Sequence, residues 1–292
     1  MKNFVVVGAA GYIAPKHLDA IKKTNNNLLA AFDIAENVGI IDSFFQNSKF
    51  FFKFNEFRNF LSKNKKKIDY LVICAPNYLH FFYICVGIKY NLNIICEKPI
   101  VLKISEIEKI KKLQKNYNKK IFCILQLRLN RNLKKIKNNI KTKSNLKVNV
   151  QYITFRGEWF FKSWKGNSKK SGGIAVNIGI HLFDLLWWFF GNAKTIVVYN
   201  RGNKSVSGRI EFDRNNIVNW NISLKKEDLI KYKTKNNFYR LLEINRKKIE
   251  FSDKFRDLHY ESYKMILKNK GFTIFDAEPS LRICDQINKF KI

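Results

Sequence analysis

Acidic residues, prolines and paired cysteines are scarce in this chain. Asp and Glu number 23 of 292 residues against 55 Lys and Arg, giving a formal net charge of +32. Such an excess suggests nucleic acid or an anionic membrane as partner. The lysines are scattered, however, in short runs such as Lys63-Asn64-Lys65-Lys66-Lys67 and Lys134-Lys135-Ile136-Lys137 on expected helix faces or ends, with no basic stripe. Lys, Asn, Ile and Phe are enriched together, as in an AT-rich genome. The expectation is no nucleic-acid and no membrane partner, the charge being compositional or an aid in attracting an anionic substrate. A non-catalytic basic binding protein is the remote alternative.

The five cysteines (Cys74, Cys85, Cys96, Cys123, Cys284) are an odd set without CxxC or Cys/His ligand spacing. Lying in apolar runs, they read as reduced core thiols of a cytoplasmic protein, and no metal is expected. The apolar stretch 4–7 is short for a signal peptide, and the segment ending in Trp187-Trp188-Phe189-Phe190 is too short to span a bilayer. With four prolines there is no low-complexity linker, so the domains are expected to pack rather than hang on a tether.

A hydrophobic fraction of 46% excludes general disorder, and the length favours two domains. Strands are expected over 2–7, 28–32, 50–52, 70–74, 93–96 and 121–125, alternating with helices over 15–23, 36–45, 56–61, 78–90 and 104–114. That alternation predicts an α/β fold with a doubly wound parallel sheet. After a helix over 133–141 the pattern changes to extended runs at 147–155, 195–200, 205–212, 217–224, 238–244 and 248–251. These predict an α+β domain with a mostly antiparallel open sheet, interrupted by a helix over 180–190 and closed by helices over 258–268 and 279–290, Pro279 serving the first turn. The expected division is 1–122 and 123–292.

Gly8-Ala9-Ala10-Gly11-Tyr12-Ile13-Ala14 follows a strand and opens a helix. Small residues let a pyrophosphate approach the backbone, and the helix N-terminus offers free N–H groups. The spacing is GxxGxxA rather than GxGxxG, which lowers its specificity. Asp33 ends the second strand where a carboxylate would bind a ribose diol and repel a 2′-phosphate, favouring NAD; a strand-end turn former is the competing reading. Ala75, Asn77 and His80 begin a helix at the carboxyl edge of the sheet. Asn77 caps that helix or meets the cofactor; His80 is structural or cofactor-side rather than catalytic. His17 and His259 read as packing residues.

Oxidation of a secondary alcohol needs a hydride acceptor and a group to take the hydroxyl proton. Lys98, in Glu97-Lys98-Pro99 after a parallel strand, would polarise the hydroxyl as an ammonium. His181, in Gly172-Gly173-Ile174-Ala175-Val176-Asn177-Ile178-Gly179-Ile180-His181, titrates in the range a base requires. Asp184 shares its helix face and would orient it. A salt-bridged surface lysine and a core histidine are the alternatives. The segment 156–166, with Arg156, Lys162, Trp164 and Lys165, looks like a substrate loop suited to a sugar or base and to anions, unless its aromatics serve domain packing. Gln126 and Arg128 are placed to reach the same crevice.

Taken in order, GAAGYIAPKH, Asp33, CAPNYLH, CEKP and GGIAVNIGIH resemble the glucose–fructose oxidoreductase / inositol dehydrogenase / rhizopine-catabolism family over nearly the whole chain. The stretch WFFKSWKGNSKKSGGIAVNIGIHLFDLL and the ending Phe275-Asp276-Ala277-Glu278-Pro279-Ser280 are most similar to its UDP-N-acetyl-glucosaminuronate 3-dehydrogenase branch. The resemblance implies an NAD-dependent oxidation at the sugar C3 hydroxyl, in the making of surface-polysaccharide (O-antigen, lipopolysaccharide) sugars. It makes Lys98 and His181 the catalytic pair. It places Gly8, Ala10, Gly11, Tyr12, Ile13, Asp33, Ala75, Asn77, His80, Glu97, Lys98 and Gln126 at the cofactor, and Arg128, Arg156, Lys162, Trp164, Lys165, Asn177 and His181 at the UDP-sugar substrate. Asn177 stands where many relatives carry Asp, which suits this branch but weakens an Asp–His relay. The resemblance also implies 2-oxoglutarate as hydride acceptor and a homotetramer. A dehydrogenase of another sugar or of inositol is the alternative within the family.

Overall fold

The computed structural model describes residues 1–36, 38–234, 236–252 and 257–291. The chain forms two compact units, Met1–Gln126 with Asp257–Ala277, and Leu127–Arg256 with Glu278–Ile292. The first crossing falls close to the expected division, but the segment from Asp257 returns to the first unit, so 123–292 is not one body. The cause is the helix Leu258–Leu267, which buries Leu258, His259, Ser262, Tyr263 and Ile266 as one stripe. Tyr263 and Ile266 join the core of Phe4, Leu18 and Ile21, and Tyr263 packs its ring 5.9 Å from that of Phe4.

In the first unit, β1 (Asn3–Val7), β2 (Asn27–Phe32), β3 (Lys49–Phe51), β4 (Tyr70–Ile73), β5 (Asn93–Cys96) and β6 (Ile121–Cys123) form one sheet in the order β3-β2-β1-β4-β5-β6. Every neighbouring pair is parallel. Phe4, Val5, Val6 and Val7 are all fully buried, as a strand covered on both faces demands. The strand order reverses between β1 and β4, and ligands of such sheets bind at the carboxyl ends flanking that point. The helix expected over 36–45 does not form: Gly39–Ile41 makes one 3-10 turn, and residue 37 lies outside the described residues. That stretch buries Ile41 alone among the turn's residues, too little to hold a longer helix.

The second unit holds β7 (Lys147–Thr154), β8 (Ala193–Arg201), β9 (Ser205–Phe212), β10 (Asn216–Ser223), β11 (Phe238–Ile244) and β12 (Lys247–Glu250), in the order β12-β11-β7-β10-β9-β8. β7 and β10 run parallel and the other neighbours antiparallel. Along β10, Val218, Trp220 and Ile222 are buried, while Asn219 and Asn221 hydrogen-bond across to Asn149 (3.2 Å) and Gln151 (2.9 Å). The helix Ile180–Phe190 supplies Leu182, Phe183, Leu185 and Leu186 to the core. Among the described residues no single helix is long and apolar enough to cross a membrane. The last helix, Ile274–Lys289, starts one turn and more before Pro279, contrary to expectation. Asp276 caps it by accepting from the Thr273 N–H (2.8 Å) and hydroxyl (3.1 Å), so proline costs one hydrogen bond inside rather than opening the helix.

Candidate active site

The chain leaves β1 through Gly8, whose φ is +79°. A Cβ on Gly8 would lie 2.4 Å from the Ala75 nitrogen and 2.6 Å from its Cα; one on Gly11 would sit 3.0 Å from the Gly8 carbonyl oxygen. Gly8 admits no side chain, and Gly11 one only if its neighbours give by a few tenths of an ångström, leaving a cradle lined by backbone. The helix Ala14–Lys23 begins beside it with proline in its first turn and no side chain capping its N-terminus. The Ala14 and Lys16 N–H groups donate to the carbonyls of Gly11 and Ile13 (3.0 Å each) and Pro15 has none, so what this helix end offers an anion is its dipole. Asp33, buried at the end of β2, accepts from the Ala10 N–H (2.8 Å) and the Ala35 N–H (2.9 Å). It therefore shapes the loop as a turn former does, and a carboxylate keeps further acceptor positions for a diol. Ala10 and Tyr12 are exposed, Gly11 and Ile13 half-buried, and Ala75 and Asn77 buried. The Gln126 Oε1 is enclosed without a partner among the described residues. Backbone cradle, helix end and strand-end carboxylate fit a dinucleotide with an unphosphorylated ribose. Gly8, Ala10, Gly11, Tyr12 and Ile13 would hold its pyrophosphate, and Asp33 its ribose.

His80 departs from its expected place at the cofactor. It is 1% exposed, and its ring nitrogens face the carbonyls of Pro99 (Nδ1, 2.6 Å) and Ala75 (Nε2, 2.8 Å). Burial pushes its pKa down, against the pull of those two carbonyls. It is a tie between the turn after β4 and the turn after β5.

Lys98 is half-buried in that second turn, and the Lys98–Pro99 peptide is cis. Beneath it lies Glu97, 5% exposed, whose Oε1 meets the Nε2 atoms of both His17 and His259 at 2.9 Å. Burial alone would raise the Glu97 carboxyl, but the hydrogen bonds from His17 and then His259 outweigh it and hold it well below the usual range. Glu97 is thus enclosed rather than open to the cofactor. Sequence reading placed neither histidine here; the signal available was the i, i+4 spacing of His259 and Tyr263 on one apolar helix face.

In the second unit His181 is half-buried on the helix Ile180–Phe190. Asp184 faces Arg128: the guanidinium donates to its two carboxylate oxygens at 2.6 and 3.1 Å, both side chains being 3% exposed. Arg128 also lies over the Trp187 ring at 5.1 Å. This buried pair ties the helix bearing His181 to the turn Gln126–Leu129, which removes Arg128 from the groups open to a substrate. Asn177, 7% exposed, ends the short helix Gly173–Asn177. In the segment 156–166 the Lys165 ammonium lies over the rings of Trp159 (5.0 Å) and Trp164 (5.7 Å). Burial, and then the charge of Arg156, push the Lys165 pKa down. Lys162 is exposed and pairs with Glu158 at 3.2 Å, a contact of little energy. Trp159, an aromatic of the expected substrate loop, is 57% exposed and lies under Lys165.

Residues 2–124 match the oxidoreductase family described as an NAD-binding Rossmann fold, and residues 134–266 match its C-terminal alpha/beta domain. The chain belongs to this family of oxidoreductases, glucose–fructose oxidoreductase / inositol dehydrogenase / rhizopine-catabolism, and its first unit carries the NAD-binding sheet. The WlbA (WbpB) dehydrogenase of Thermus thermophilus, crystallised with NAD and UDP-GlcNAcA, is 35% identical, covers 100% of this chain with 96% of its own, and superposes with a TM-score of 0.94. A second crystal structure of that enzyme, with NAD and alpha-ketoglutarate, is 36% identical over the same coverage, with the same TM-score. The glucose-6-phosphate 3-dehydrogenase of Bacillus subtilis is 25% identical over 210 residues, 65% of this chain and 54% of that protein's length.

Proposed function

We propose that this protein oxidises the C3 hydroxyl of UDP-N-acetyl-glucosaminuronate to the 3-keto sugar. The observation that carries this reading is the 35% identity, along the whole chain, to a dehydrogenase crystallised with NAD and that sugar nucleotide. NAD supplies the hydride acceptor. His181 takes the hydroxyl proton as general base, and Lys98 as an ammonium holds the oxygen and stabilises the alkoxide that develops. Arg156 and Lys165 offer charge for the carboxylate and diphosphate, with Trp159 and Trp164 as aromatic surfaces beside them. The likeness to a structure holding alpha-ketoglutarate supports 2-oxoglutarate as the acceptor that resets the cofactor. The sequence resemblance supports a cytoplasmic homotetramer serving surface-polysaccharide synthesis.

The test is mass spectrometry of UDP-N-acetyl-glucosaminuronate incubated with the protein, NAD and 2-oxoglutarate. A product two hydrogens lighter, with an equal amount of 2-hydroxyglutarate, is expected. No conversion, with NAD still bound, overturns the substrate and favours the second reading, another sugar or an inositol, which the likeness to glucose-6-phosphate 3-dehydrogenase supports.

A further inference from the structure

Two helices of the first unit, Ala14–Lys23 and Leu258–Leu267, meet the turn after β5 at Glu97, and hydrogen-bond chemistry fixes which atom carries each proton. Glu97 Oε1 faces the Nε2 atoms of His17 and His259, both at 2.9 Å, and Oε2 accepts the backbone N–H of Lys98 at 3.1 Å. A carboxylate only accepts, so both Nε2 atoms must be protonated. Burial pushes the His17 pKa down, which leaves its imidazole neutral with Nδ1 unprotonated. The Tyr263 hydroxyl, 2.8 Å from that Nδ1, is therefore the donor. The order is Tyr263 O–H to His17, His17 N–H to Glu97, His259 N–H to Glu97, and Lys98 N–H to Glu97.

The three acid and imidazole groups have the composition of a metal site. Their directions argue otherwise: both nitrogens aim at one carboxylate oxygen, as two donors on an acceptor do. A metal would need all three lone pairs aimed at a common point.

We infer that His17, His259 and Tyr263 are positioning residues that act on Lys98 through Glu97; this rests on the proposed role of Lys98 in the reaction. Three N–H donors on one carboxylate fix its torsions, and its second oxygen then fixes the peptide nitrogen from which Lys98 projects. His80 holds the carbonyl of Pro99 on the far side of the same turn. Lys98 is half-buried and long, and a clamp on both flanks of its backbone confines where the ammonium can reach. A displacement of about 1 Å at a reacting centre costs on the order of a hundredfold in rate.

The experiment compares Lys98→Ala, His259→Leu, His259→Gln and Tyr263→Phe in steady-state kinetics, NAD titration and 15N NMR of the histidine rings, of which the chain has four. His259→Leu removes one donor and should lower kcat about 10- to 100-fold with KM and the NAD Kd within about twofold of wild type. His259→Gln returns an amide N–H to the same place and should recover kcat to within about threefold. Tyr263→Phe, the variant most certain to fold, should lower kcat about threefold to tenfold with the same split, while Glu97 keeps the His17 proton on Nε2. Wild-type kcat in His259→Leu and Tyr263→Phe overturns the inference. So does a His17 ring protonated at Nδ1 in the wild type, a folded His259→Gln no better than His259→Leu, or a loss shared equally by kcat, KM and NAD affinity. Wild-type turnover in Lys98→Ala overturns the role of Lys98 instead, whatever the other variants do.

Discussion

Replacing Gly8 by Ala tests the cradle directly, because the structure supplies a matched control. Gly8 and Gly173 both have positive φ, +79° and +75°. A Cβ on Gly8 would be 2.4 Å from the Ala75 nitrogen and 2.6 Å from the Cys74 carbonyl carbon, while one on Gly173 would meet nothing within 4 Å. The backbone term is shared, roughly 1–2 kcal/mol for a side chain in the left-handed region. The collision belongs to Gly8 alone and is against backbone of a buried strand end, which cannot swing aside as a side chain does; forced repacking costs about 1–3 kcal/mol more. Gly8→Ala should thus destabilise the first unit by about 2–5 kcal/mol and Gly173→Ala the second by about 1–2 kcal/mol. The two units carry separate reporters. Cys74, Cys96 and Cys123 are buried in the first, and labelling read peptide by peptide separates them from Cys284, which is buried in the second with all five tryptophans. Thiol labelling across a urea titration should show the midpoint of Gly8→Ala lowered by about 1–2 M, and tryptophan fluorescence a smaller fall for Gly173→Ala. Gly8→Ala should also lose NAD affinity, since relief of the clash moves the loop. A thiol-labelling shift for Gly8→Ala no larger than the fluorescence shift for Gly173→Ala would refute the argument.

Lys98→Ala and His181→Ala should each cut turnover by about 100-fold or more while NAD titration stays at wild-type affinity; near-normal turnover in either removes that residue from the proposed chemistry. Arg128→Met leaves the Asp184 charge buried without its guanidinium and should cost the second unit about 3–5 kcal/mol, most of it restored by adding Asp184→Leu, as read by tryptophan fluorescence in urea. Acid should weaken the first unit. Burial holds His17 below its ordinary value of 6.5, and the histidine donors, prevailing over burial, hold Glu97 below its ordinary 4.5. In both cases the unfolded chain binds more protons than the native one. Stability is therefore full above 6.5, begins to fall below it as His17 protonates in the unfolded state, and falls further below 4.5 with Glu97. A thermal midpoint that stays flat or rises from neutral to acid pH would contradict this.

The strands of both sheets were legible because their information is local. Runs such as Phe4-Val5-Val6-Val7 are apolar at every position and Asn219-Trp220-Asn221 alternates, and those two patterns separate a strand covered on both faces from one covered on a single face. The glycine loop was legible for the same reason, since a strand, a left-handed turn and a helix start follow one another within a dozen residues. The 3-10 turn at Gly39–Ile41 was not, because the core residues that Ile41 packs among come from elsewhere in the chain; the interior position of Pro279 was overlooked beside a local signal, the Thr273–Asp276 cap.

The sequence by itself determined two sheets of different kind, a glycine turn between the first strand and helix, and that Lys98 follows a parallel strand while His181 lies on a helix. What the buried charged side chains Arg128, Asp184 and Glu97 bond to was decided by tertiary structure alone. Arg128 and Asp184 are 56 residues apart and His259 is 162 from Glu97, yet each finds its partner at hydrogen-bond distance. A buried charge must be met by another group wherever the fold supplies one, and that supply is set by packing rather than by spacing. For this reason Arg128 and His80, plausible ligand-binding residues along the sequence, are structural ties in the folded chain, and two histidines without a motif surround the residue next to Lys98.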